Sequence, residues 1–294
     1  MRMPMTSNAA TDSSSWENRL PSKRQTQLVV LAPADTGDST FENVQVEPQV
    51  HRMLLNRMQR FRAQIALDEA AIRRDQLTAD GRHDLEVDHR SWHLVLTENE
   101  RVVGSMRYAA YANTTAYSDL QVRQSWLART PDLGFDLKHA VEATLEEARR
   151  REVHFGEPGG WVLAPELRNT REAIRLALGA FALAWNLGGA VGLCTATQKN
   201  NSAAMLRRLG GRPLRTAQGE LPAYFEPHYG CEMEVLRFDS WSVNPTYQSA
   251  INELSSMLSS DVPVIAAGPI AGLGRLAAAV NSYQTPMPET CLAQ

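Results

Sequence analysis

The sequence is short of cysteine, of net charge and of long apolar runs, and each shortage removes a class of function. Its three cysteines, Cys194, Cys231 and Cys291, are far apart and form no paired ligand motif. Neither a disulfide scaffold nor a zinc knuckle is therefore expected, no metal site is assigned, and a reducing cytoplasm suits the chain. Thirty Lys and Arg stand against 33 Asp and Glu, a net charge of -3, whereas nucleic-acid binding usually rests on a strongly basic face. No nucleic-acid partner is expected. The N-terminal stretch "MRMPMTSNAATDSSSWENRL" has no apolar core after its early arginine, so it reads as neither a signal peptide nor a span. The apolar run Val262 to Val280 is broken by two prolines, three glycines and an arginine, and falls short of the roughly 20 apolar residues that a span needs.

What the sequence does contain is one catalytic-size domain with ragged ends, since compact domains cluster at roughly 100 to 200 residues. Residues 1–27 are rich in Ser, Thr, Asn and Asp without hydrophobic period, the composition of a disordered tail. From Pro48 to Leu77, apolar residues at Val50, Leu54, Met58, Phe61, Ile65 and Ile72 recur at helical spacing, predicting one long or two consecutive amphipathic helices. Apolar runs at Trp92 to Leu96 and Val102 to Tyr111 around a polar turn predict a hairpin. A polar connection leads to a charge-rich, exposed helix ending near Glu152. A strand follows at Gly160 to Ala164, then a helix with Ile174, Leu178, Phe181 and Trp185 on one face, stopped by Gly188 and Gly189. A short strand "AVGLCTA", a helix opened by Asn200 or Asn201, and a strand from Cys231 to Asp239 complete a domain over 28–240. Residues 241–294 read as an extension with one helix, Gln248 to Leu258. The order implies a mixed α/β sheet flanked by helices.

The segments "VVGSMRY", "WVLAPELRNTREA" and "NNSAAMLRRLGG", in that order, resemble the GNAT acyltransferase superfamily over about residues 45–239. The N-terminal "RMQRFR", the acidic "DLEVDHRSWHL" and a helical insertion after the hairpin are similar to N-acyl amino acid synthases and acyl-homoserine-lactone synthases. The resemblance implies a GNAT-like fold with helices on both sheet faces. It also implies an acyl thioester co-substrate, on acyl carrier protein or coenzyme A, and a small amine acceptor. No covalently bound cofactor is implied.

A thioester is already electrophilic, so such an enzyme has to deprotonate the ammonium, align the amine and stabilise an oxyanion. In this fold the oxyanion donor is a strand N–H between Gly160 and Leu163, which puts Val162 and Leu163 beside the donor. Glu157 matches the strand-edge glutamate of the autoinducer synthases and is a candidate base, the alternative being a solvated loop residue. Asp84, Glu86, Asp88 and Arg107 match the acids and arginine bracketing the acceptor there. Carboxylates attract an ammonium and a guanidinium forks a carboxylate; for any single acid, a surface ion-pair network around "HDLEVDHR" is the stronger alternative. Arg107 lies within an apolar strand, where an unpaired charge is costly. His89 and His93 are bases by chemistry and structural by precedent.

The donor loop Arg168, Asn169, Thr170, Arg171 departs from the superfamily pattern by carrying Arg171 where a glycine would let amides close on a pyrophosphate. It reads as a basic landing point for a phosphate, with Asn201 on the donor's other side. The short helix lacks the tyrosine general acid of many acetyltransferases; Tyr224 and Tyr229 are the substitutes at hand, or an aromatic loop on the core. Three readings follow: transfer of a long-chain acyl group to an amino acid or similar amine, transfer of a small acyl group to a metabolite or protein, and a silent binding module.

Overall fold

The computed structural model describes residues 26–34 and 41–268. The tail expected over 1–27, Thr26 and Gln27 apart, and the extension beyond Gly268 lie outside them. In chain order the elements are β1 (Gln27–Leu31), β2 (Val44–Val46), α1 (Pro48–Asp68), β3 (Trp92–Glu98), β4 (Arg101–Tyr111), α2 (Pro131–Arg150) and β5 (His154–Leu163). Next come α3 (Arg171–Asn186), β6 (Ala190–Thr197), α4 (Ser202–Leu209), β7 (Arg212–Pro213), β8 (Arg215–Thr216), β9 (Gly219–Glu220), β10 (Tyr224–Glu226), β11 (Cys231–Asp239), α5 (Gln248–Ser260) and β12 (Val264–Ala266). One mixed sheet runs β10-β11-β6-β5-β4-β3-β1-β12-β2, with β7 also on β11 and β8–β9 a separate small hairpin. Only β5–β6, β1–β12 and β12–β2 are parallel.

Local chemistry accounts for the elements. The β3–β4 hairpin turns at Asn99 and Glu100, both with positive φ, the backbone of a two-residue turn that matches strand twist. Thr170 caps α3 by accepting the Glu172 N–H. That helix buries Leu176, Leu178, Phe181 and Leu183, each contributing about 1.5–3 kcal/mol. α3, α4 and α5 cover one face of the sheet, against Leu94, Leu96, Met106 and Leu236. The other face carries α1 over Leu31, Val95 and Val102, and α2 over Phe155, Leu193 and Val235.

Three expectations change. The helix before the central strand is half-buried, because Leu137, Val141 and Leu145 form its inner stripe. The central strand begins at His154, well before Gly160, since Phe155 and Glu157 already point into the protein. Residues 241–268 are no appendage: α5 packs Ile251, Leu254 and Leu258 into the main core, and β12 lies between β1 and β2.

Candidate active site

β5 and β6 pair over only three rungs, from His154↔Ala190 to Gly156↔Gly192. Beyond Gly156, β5 stays with β4 and β6 stays with β11. The facing edges of the two central strands therefore separate, and their inward backbone groups have no ladder partner among the described residues. Buried backbone groups require partners, so the cleft is built to receive polar atoms from elsewhere. The last rung is made by two glycines for a steric reason: a Cβ on Gly192 would lie 1.9 Å from the Gly156 carbonyl oxygen. Just past the split, between the Ser105↔Val162 and Arg107↔Gly159 rungs, one residue of β4 (Met106) stands opposite two of β5 (Gly160 and Trp161). The extra residue forms a bulge with Gly160 at φ +56°, a kink that bends β5 locally.

On the α3 side of the split lies an apolar cavity of about 40 Å³, lined by Ala177, Ala180, Phe181, Gly156, Gly192 and Phe238 among others. Its polar edge is Tyr108, whose hydroxyl is 2.7 Å from His154 Nε2. Burial holds the His154 pKa down at about 4, so the imidazole is neutral.

The opposite face holds a buried polar cluster. Asp88 Oδ1 accepts from Arg62 Nη1 at 2.9 Å and Asp88 Oδ2 from Arg62 Nη2 at 2.5 Å; Gln59 and the Leu85 N–H also donate to Asp88. Burial alone would raise the Asp88 pKa, but Arg62, with His93 and Arg107, holds it near 2. Arg107, 9% exposed, lies 3.8 Å from Asp88 and makes no side-chain hydrogen bond among the described residues; its Nε is buried and unpartnered there. Its guanidinium runs along Gly159, where a Cβ would sit 3.0 Å from Nη2. Burial lowers the Arg107 pKa against the pull of Asp88. Glu157 is buried within β5, and its two oxygens accept the N–H groups of Gln121 and Val122 at 2.8 and 2.9 Å. That placement removes the solvated-loop alternative. Burial raises the Glu157 pKa, and the two N–H groups, Tyr111 and Arg107 offset it only in part. The Tyr111 hydroxyl faces the same carboxylate outside hydrogen-bond geometry. Tyr224 on β10 is buried with its hydroxyl unpartnered, and burial raises its pKa.

The structure gathers some expected residues and disperses others. Asp88, Arg107 and Glu157 share this face. Asp84 sits beside it, engaged by Gln59, Arg82 and His89, while Glu86 is exposed. His93 is buried with Nε2 on the Asp88 carbonyl, and burial lowers its pKa to about 4, which fits the structural role.

Val162 and Leu163 end β5 at the open end of the cleft. Arg168 is paired with Glu69 at 2.6 Å, Asn169 and Asn201 have positive φ, and the Thr170 hydroxyl caps α3 while donating to the Leu167 carbonyl. Arg171 is exposed beside Thr26, Glu166 and Glu172. Two contributors went unread in the sequence. Arg62 lies at helical spacing between Met58 and Ile65 on the buried side of α1, and an arginine on an apolar stripe was the available signal. Glu69 carried none.

No protein-family model matches the sequence, and no curated protein matches it. Among solved structures, a CoA-dependent acyl-homoserine lactone synthase, BjaI, with SAM and isopentyl-CoA, superposes with a TM-score of 0.52 at 15% identity, over 86% of this chain and 100% of that one. BjaI with MTA gives 0.51 at 16% identity, with the same coverage. FeeM, an N-acyl amino acid synthase from uncultured soil microbes, gives 0.42 at 11% identity, over 74% of this chain and 93% of that one. No helix among the described residues is long and apolar enough to cross a membrane, and no group of three or more His, Cys, Asp or Glu among them could hold a metal. The chain shares the fold of the CoA-dependent acyl-homoserine lactone synthase BjaI, the fold expected from the sequence resemblance.

Proposed function

We propose that the protein transfers an acyl group from a phosphopantetheine-borne thioester, on acyl carrier protein or coenzyme A, to the amine of an amino acid or similar small acceptor. The observation that carries this reading is Arg107, a buried guanidinium whose Nε has no hydrogen-bond partner among the described residues, lying against Gly159 where β5 has parted from β6. A buried cation with free donors calls for an anion, and an acceptor carboxylate supplies one. Asp88, already held by Arg62, acts as a positioning residue for both arginines. The pantetheine amides would take up the unpaired backbone edges of β5 and β6, and a β5 N–H between Gly160 and Leu163 would meet the oxyanion.

Glu157, its pKa raised by burial, would take the ammonium proton directly or through water. The Tyr224 hydroxyl, protonated throughout the physiological range, would return a proton to the departing thiolate. At the open end, Arg168, Asn169 and Thr170 ahead of α3, Arg171 at its first position and Asn201 ahead of α4 would receive the phosphate.

A short acyl group has an observation of its own. The apolar cavity on the α3 side of the cleft, about 40 Å³, holds roughly three water-sized groups, a volume that suits a short acyl chain. The test is incubation of purified protein with acetyl, butyryl, octanoyl and palmitoyl thioesters of coenzyme A and of acyl carrier protein, together with an amino-acid pool. Mass spectrometry should find N-acyl amino acids. Binding of donors without amide formation would leave the silent-module reading instead.

A further inference from the structure

The mouth of the β5–β6 cleft is spanned by one carboxylate that no part of the proposed chemistry uses. Glu69, the residue that ends α1, sends Oε1 to Arg168 Nη2 at 2.6 Å and Oε2 to Asn200 Nδ2 at 3.4 Å. Arg168 belongs to the loop after β5 and Asn200 to the loop after β6. These loops are the two lips of the cleft, each carrying a left-handed asparagine, Asn169 and Asn201, before its helix. A negative group thus sits between two helix N-termini and neutralises the arginine that leads into one of them.

We propose that Glu69 is an internal anion that a donor's phosphate must displace, and that it sets donor preference against multiply charged coenzyme A and in favour of the single phosphodiester of a carrier-bound arm. The inference rests on the donor-site reading above. The Glu69–Arg168 pair is partly exposed, 29% and 40%, and such a pair contributes little to stability. A phosphate can therefore open it cheaply. The residual cost scales with the charge brought in: one charge for the phosphodiester of a carrier-bound arm, about two for the phosphomonoester of free 4′-phosphopantetheine, and more for coenzyme A with its pyrophosphate and third phosphate. Lys199 and Arg171, exposed on the two lips, attract any phosphate, so the discrimination lies in the carboxylate.

The test measures binding of pantetheine, 4′-phosphopantetheine and coenzyme A to wild type and Glu69→Gln by calorimetry in about 50 mM salt. Glu69→Gln should tighten coenzyme A by about fivefold and phosphopantetheine by about twofold, leave pantetheine unchanged, and lose its effect in 0.5 M salt, as expected for an exposed charge. The neighbouring Asp68→Asn, whose carboxylate faces only Gln64 on α1, should change none of the three. Equal shifts for all three ligands, or weaker coenzyme A binding in Glu69→Gln, would overturn the inference and leave the donor site standing. If none of the three binds either protein at millimolar concentration, the donor-site reading falls and the inference with it.

Discussion

Arg62 and Asp88 meet as a bidentate ion pair in the interior, with side chains 4% and 0% exposed. Removing one member of such a pair strands the other without water. Asp88→Ala would leave Arg62 unpaired and Arg107 without its nearest carboxylate. It should therefore cost about 3–5 kcal/mol of stability, read as a drop in the urea midpoint. A loss below about 1 kcal/mol would show that water replaces the carboxylate.

Acid should weaken the protein in two steps. His83, His93 and His154 have pKa values held near 4, chiefly by burial. The unfolded chain protonates them near the ordinary value of 6.5, so their stabilisation is present above pH 6.5 and lost as the pH falls toward 4. Asp88, depressed to about 2 against burial by Arg62, adds stability above its ordinary pKa near 3.8 that disappears as the pH falls toward 2. Urea midpoints from pH 8 to 3 should decline below pH 6.5. A flat profile between pH 7 and 5 would contradict the buried neutral histidines.

Gly192→Ala should be among the most damaging small substitutions in the sheet. The new Cβ would meet the Gly156 carbonyl, backbone against backbone, so neither partner can swing aside, and the rung at which β5 and β6 divide would break. We expect a loss of at least about 3 kcal/mol and a fall in donor binding. Gly219→Ala is a useful contrast: its φ of +131° strains an alanine, but no atom lies within 4 Å, so donor binding should persist.

Glu157→Gln separates base from brace. As a brace, the carboxylate holds the N–H groups of Gln121 and Val122; an amide satisfies one and opposes the other, costing about 1–3 kcal/mol. As a base with a raised pKa, Glu157 produces an acid limb in kcat above the ordinary carboxylate range. The substitution should cut kcat and remove that limb. An unchanged limb would leave Glu157 the brace alone.

Much of the frame was legible because it follows short-range rules. The polar turn between Leu96 and Val102 and the Gly188–Gly189 stop predicted their elements directly. The β1–β12–β2 edge was not legible, since strands of three to five residues drawn from opposite ends of the chain leave no local period. In the site, Arg107 stood out as a charge within an apolar strand. Glu69 did not, because a glutamate at the end of a surface helix looks like its solvated face until α1 is seen ending at the cleft mouth. Arg62 gave only the signal of an arginine on an apolar stripe until α1 is seen turning it onto Asp88.

The most direct test of acyl transfer to a carboxylate-bearing amine is thiol release from an acyl thioester, followed as the amino-acid acceptor is titrated, in wild type and Arg107→Ala. Release should depend on the acceptor. Arg107→Ala should raise the acceptor KM by about tenfold or more, the loss of a charge-assisted pair, with little change in donor KM. Thiol release indifferent to acceptor, or equal changes in both KM values, would contradict the acceptor site.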